Sequence, residues 1–90
     1  MLTVYKYDVP TEDEFTIAMP AGARVLTFQV QHETPCLWAL VDPTAPKVAR
    51  RFRFAGTGHP IAHDDAALRF VGTVQLHGGA LVFHLFEVLS

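Results

Sequence analysis

Apolar and polar residues alternate along most of this chain, and the alternation has a period of two. It is clearest over residues 24–31, where Leu26, Phe28 and Val30 fall on one side and Thr27, Gln29 and Gln31 on the other. That period belongs to a strand with one buried face and one wet face. The same reading predicts strands over 3–7, 14–19, 48–54 and 69–76. In the second of these, Phe15, Ile17 and Met19 share a face; in the segment 48–54, Phe52 and Phe54 point inward and Arg51 and Arg53 outward. Helical periodicity is almost absent.

Two further segments, 36–41 and 80–89, are apolar on both faces. The first belongs in the middle of a sheet or beneath a cover on its outer side; the second either lies centrally or pairs across an oligomer interface. Glu87 lies between Phe86 and Val88 and is expected to pair with an arginine across a strand. Turn residues separate the segments: Pro20 to Ala23, His32 to Pro35, the double-proline stretch 42–46, and His77-Gly78-Gly79. Proline presets φ, glycine tolerates positive φ, and two prolines cannot join a ladder interior. Asp64 is the expected N-cap of one helical turn over 64–68. The sum is a single β domain over residues 1–90. It is all-β: a small antiparallel barrel or sandwich of six to seven strands with at most one short helical turn.

Composition sharpens this picture. Half of the 90 residues are hydrophobic and 18% are charged, which suits a globule and leaves apolar surface to cover; a homo-oligomer is expected. The net charge of -2 gives no broad basic field, so nucleic acid is not an expected partner. Arg50, Arg51 and Arg53 form the one local exception. Cys36 is the only cysteine, so no internal disulfide can form. Within its apolar run it reads as a buried, inert thiol. No apolar run approaches the roughly 18 residues of a membrane span, so no membrane is expected and the cytoplasm is the expected location.

Three features could carry chemistry. In Gly56-Thr57-Gly58-His59-Pro60, glycines would let backbone N–H groups approach an anion, with Thr57 and His59 adding hydrogen bonds. In His77-Gly78-Gly79, a histidine beside two glycines could lean over a pocket and titrate near neutral pH. The same residues also serve tight turns. Outward Arg51 and Arg53 could hold a phosphate or an acidic partner through bidentate guanidinium contacts. His59 and His63 are four residues apart, but Pro60 and the lack of a third ligand argue against a metal, and no cofactor is expected. Ser90 is the only serine, and no base is spaced to activate it, a threonine or Cys36. Glu12-Asp13-Glu14 and Asp64-Asp65 read as solvated caps and turns. No catalytic residue is assigned, and the chain is not expected to be an enzyme.

The segments Thr34 to Pro43, Gly56 to Ile61 and Gln75 to His84, with Tyr5-Lys6-Tyr7 and Phe86-Glu87, resemble a family of small bacteriophage and prophage proteins with no assigned activity. The resemblance implies a phage product in the host cytoplasm and assigns no site residue. The expected function is therefore non-enzymatic binding of a host protein, or sequestration of a small anionic ligand such as a nucleotide signal. Gly56, Thr57, Gly58, His59, His77, Gly78, Gly79, Arg51 and Arg53 are the candidate ligand-binding residues. The alternatives are a structural or assembly component of the virion, and a small histidine-dependent hydrolase or metal enzyme.

Overall fold

Each run of alternation becomes a strand. In chain order these are β1 (Thr3–Asp8), β2 (Glu14–Pro20), β3 (Arg24–Gln31), β4 (Thr34–Val41), β5 (Lys47–Gly56), β6 (Leu68–Leu76) and β7 (Leu81–Val88). The computed structural model describes residues 1–89; Ser90 lies outside the described residues. Every pairing is antiparallel, in a three-stranded sheet ordered β1-β4-β3 and a four-stranded sheet ordered β2-β5-β7-β6. β4 and β7, the strands apolar on both faces, each have a neighbour on both sides. The sheets meet along β3 and β6 without closing. The Cα trace spans 40 × 32 × 16 Å, so of barrel and sandwich it is the sandwich that fits. Besides the strands there are two 3-10 turns, Asp65–Ala67 and His77–Gly79, one more than expected. Among the described residues no helix is long and apolar enough to cross a membrane.

The inner faces of the two sheets build the core. Phe28, Leu37, Ala39 and Val41 come from one sheet; Met19, Phe52, Phe54, Val74 and Leu85 come from the other. Phe15 stacks on Phe52 at 5.5 Å, and Phe54 stacks on Phe83 at 4.6 Å while meeting the edge of Phe28 at 6.4 Å. Each fully buried phenylalanine contributes about 1.5–3 kcal/mol, and such ring pairs add about 0.5–1.5 kcal/mol beyond area.

Four local expectations need correction. The turn after β3 is only His32-Glu33, with φ of 50° and 64°, the paired left-handed residues of a tight hairpin. β4 therefore starts at Thr34 and contains Pro35. A residue in an antiparallel strand aims its N–H and C=O to one side. Pro35 O accepts from the Val9 N–H at 2.9 Å, beyond the last β1 pair, so its missing donor takes nothing from the β3 ladder.

The second correction is Leu26. The β3–β4 register slips between Val25 and Thr27, so Leu26 is the extra residue of a bulge and is 44% exposed, while Val25 packs against the core. The third is Arg53, expected on an open face. Residues 57–63 cross back over that face, and Arg53 is only 8% exposed. It donates to the carbonyls of Asp13 (3.0 Å), Phe54 (2.7 Å) and Pro60 (2.9 Å). Lastly, Asp64 precedes the first 3-10 turn but makes no side-chain cap hydrogen bond.

A charged cleft at the seam between the sheets

β6 carries a bulge of its own, with the register slipping between Phe70 and Gly72. The two bulges face each other across the seam, and there the sheets part around a cleft of about 280 Å³. Its walls are residues 23–26 at the start of β3 and 69–71 of β6; Arg50 of β5 and Glu87 of β7 complete it.

Position along the strands explains the floor. Glu87 shares the inner face with Phe83 and Leu85, and Arg50 shares it with Phe52 and Phe54, so both side chains enter the core layer where it runs out. Arg50 grips Glu87 with two donors, Nε to Oε2 and Nη2 to Oε1 at 3.0 Å. Its Nη1 donates to the Ala23 carbonyl at 2.8 Å. Arg69 Nη2 adds a third bond to Glu87 Oε1 at 3.1 Å. The Glu87 side chain is 7% exposed and that of Arg69 61%. Burial by itself would push the Glu87 carboxyl up, but the hydrogen bonds and charges of Arg50 and Arg69 outweigh it and hold the group below its ordinary value. Glu87 in turn raises Arg50. Arg24 stands on the opposite wall and has no ion-pair partner among the described residues. Two guanidiniums thus hold one carboxylate, and a third arginine, Arg24, lines the same cleft, in a chain whose net charge is -2.

The glycine–histidine loops lie at the other end of the four-stranded sheet. Gly56 pairs with Phe83 and Leu76 with Leu81, so both loops leave the sheet beside the start of β7, whereas Glu87 sits near its end. A Cβ on Gly56 would come within 2.9 Å of the His59 ring, so a side chain there would push that exposed ring aside. His77, Gly78 and Gly79 all have positive φ, as the second turn requires. His59 and His77 are exposed. Between the loops stands His84: Nε2 lies 2.7 Å from Thr57 Oγ1 and Nδ1 lies 2.8 Å from Thr73 Oγ1. In a neutral imidazole one hydroxyl accepts the ring N–H and the other donates to the bare nitrogen.

Arg51 is half-exposed and 3.7 Å from Glu14, which also meets His63 Nε2 at 3.1 Å. Arg53 is committed to backbone carbonyls as described. His59 and His63 share no helix, and among the described residues no three histidine, cysteine, aspartate or glutamate side chains gather as a metal site. Cys36 is buried; burial, then the hydrogen bond to Asp8 at 3.6 Å, push its thiol up. Reading by segments missed Arg50, Arg69 and Arg24 as a group. The one available signal was Glu87, a carboxylate in an otherwise apolar central strand.

The fold and the cleft define a small two-sheet β protein with a cationic pocket at its seam. Within that class, the chain belongs to the DUF7352 family, a domain of unknown function whose family model matches residues 1–90. No curated protein and no solved structure matches it.

Proposed function

We propose that this chain is a non-enzymatic binding protein whose ligand presents a small anionic group to the cleft between β3 and β6. The observation that carries the reading is that Arg50 and Arg69 both converge on the one buried carboxylate, Glu87, in a cleft that Arg24 also lines. Arginine offers rigid paired donors suited to phosphate and carboxylate. A concave site with apolar walls and a few convergent polar groups is the common form of a small-molecule pocket. The carboxylate at its floor is kept ionised by three arginine donors, which suits it to fixing their positions rather than to exchanging protons.

The setting we infer is a phage gene product in the host cytoplasm, supported by the sequence segments described above. Self-association is supported by exposed Leu2, Val4, Tyr5 and Leu81. The glycine–histidine end is the second surface on which a ligand or host protein could sit, since Thr57, His84 and Thr73 form a polar cluster beside both loops. A virion or assembly role is the runner-up reading, favoured by the unpaired outer edges of β1 and β2. Mass spectrometry of purified particles decides it, because absence from particles removes that role.

The test of the binding reading is calorimetric titration with pyrophosphate at low salt, on the wild type and on Arg24→Gln with Arg69→Gln. Binding that weakens at least tenfold in the double variant supports the cleft. Binding unchanged by the double variant, or no binding at all, rejects it.

A further inference from the structure

The outer edge of β1 carries nothing that guards it. Among the described residues β1 pairs only with β4, so one side of the strand is open. The Val9 N–H donates to the Pro35 carbonyl at 2.9 Å, one step beyond the last β1 pair. Backbone groups alternate sides along a strand, so Thr3, Tyr5 and Tyr7 bond to β4 while Val4, Lys6 and Asp8 aim theirs outward. Such an edge is a template for another strand unless charge, proline or a cover blunts it. Here both charged side chains lean away from it. Lys6 Nζ donates to Gln31 Oε1 at 2.9 Å, on the far side of β4. Asp8 Oδ1 accepts from the Cys36 thiol of β4 at 3.6 Å. The exposed side chains at this edge are apolar: Leu2 is 60% exposed, Val4 50% and Tyr5 39%. β2, the edge of the other sheet, differs, since it ends in Pro20 and its Phe15 and Ile17 are half-buried.

We infer that β1 is an interface between two copies of this chain, paired antiparallel about a twofold axis at Tyr5. The inference rests on the self-association proposed above, gives it a geometry, and does not involve the cleft. A twofold pairing must set outward-facing residues against each other, so the axis passes through a residue rather than between two. An axis at Val4 or Tyr7 would leave half of the strand unpaired. An axis at Lys6 would set the two lysines directly opposite, which is destabilising. An axis at Tyr5 sets Val4 against Lys6 of the partner subunit, and like charges nowhere meet. Tyr5 then faces its own copy, and Thr3 faces Tyr7 of the partner subunit. Within one chain Tyr5 and Tyr7 already meet edge-on, with ring centroids 6.3 Å apart, so the tyrosines of both copies form one row. β1 is thus its own complement, which makes a second copy the occupant of the edge.

The experiment is native mass spectrometry of the full chain over a range of concentrations, with oxidative cross-linking beside it. The wild type should be a dimer that dissociates on dilution. Val4→Pro removes an N–H that points away from β4, so the fold should survive. Each dimer then loses two backbone hydrogen bonds, and its dissociation constant should rise at least about tenfold. Tyr5→Cys places two thiols directly across the axis, with Cα atoms about 4.5 Å apart, within reach of a disulfide. Lys6→Cys leaves the two Cα atoms about 8 Å apart, which is too far. Under mild oxidation the first cysteine variant should yield a covalent dimer and the second should not, with the wild type as the control for Cys36. If Val4→Pro fails to fold, the two cysteine variants decide alone. A dimer that Val4→Pro leaves intact, or equal cross-linking of the two cysteine variants, overturns this interface while self-association stands. A wild type that stays monomeric at every concentration overturns both.

Discussion

Phe28 of β3 stands so close to Gly72 of β6 that a β-carbon on residue 72 would lie 3.2 Å from the Phe28 Cβ. This is the tight point of the seam. Residues 24–26 face 69–71 on one side of it and residues 28–30 face 73–75 on the other, so the two strands run in the same direction without a ladder between them. The charged cleft opens on the first side and a smaller hollow of about 220 Å³ on the second. Gly72 therefore sets how closely the sheets approach.

Gly72→Ala should destabilise the protein by about 1–3 kcal/mol, the usual effect of overfilling a packed contact. The atom in the way is the Phe28 Cβ, next to the backbone and unable to swing aside. Denaturant unfolding of the variant checks this. An unchanged or raised midpoint would show that the sheets can spread at no expense, and that the seam is not close-packed.

Acid should unfold the protein partly through Glu87. Its folded-state value lies below the ordinary 4.5, so its contribution is fully present above pH 4.5 and is lost as pH falls through the depressed value. Glu87→Gln should flatten that acid limb. At neutral pH it should also weaken the fold by up to about 3–5 kcal/mol, because Arg50 keeps its charge in a mostly buried place. Thermal melts from pH 7 to pH 3 on both proteins decide the matter; parallel curves would rule Glu87 out as the titrating group.

Arg53→Met should cost at least about 2 kcal/mol, since three backbone carbonyls lose their donor. Arg51→Met, at an exposed ion pair, should change stability by less than about 1 kcal/mol. Amide hydrogen exchange adds a local readout: residues 57–63 should exchange faster in the first variant and not in the second. Equal behaviour of the two would mean that Arg53 does not pin this segment.

The Cys36 thiol should react slowly with a disulfide reagent in the native state and quickly after unfolding. Asp8→Asn should speed the native reaction, because the aspartate holds the thiol in its protonated form. A rate indifferent to Asp8 would leave burial as the only protection.

Alternation was enough to read the strands, and double-faced apolar runs correctly marked β4 and β7 as interior. The turn after β3 was legible, but its two-residue length at His32-Glu33 was not, because neither residue is the glycine or asparagine that usually announces so tight a hairpin. Bulges have no signature at all when the extra residue is itself apolar, and Leu26 and Val71 both are. The cleft depends on them, and on the meeting of Arg50 with Glu87 across 37 residues, a fact of register rather than of composition. Arg53 misled for a related reason: its strand position was read correctly, but the returning segment 57–63 that covers it has no periodic pattern. The glycine and histidine motifs were legible as loops, and their shared end of the sheet follows only from the β5–β7 and β6–β7 registers.

The order of strands carries a consequence for synthesis. β1 is made before its partner, β4, which is not complete until Val41, and β2 must wait for β5, which ends at Gly56. Only β3–β4 and β6–β7 are hairpins that can close as soon as they emerge, on a timescale of about 1–10 μs. Strands β1 and β2 thus stay unpaired while translation proceeds at about 5–20 residues per second. For seconds during synthesis, nascent β1 and β2 are open to capture by a neighbouring polypeptide before their own sheets exist.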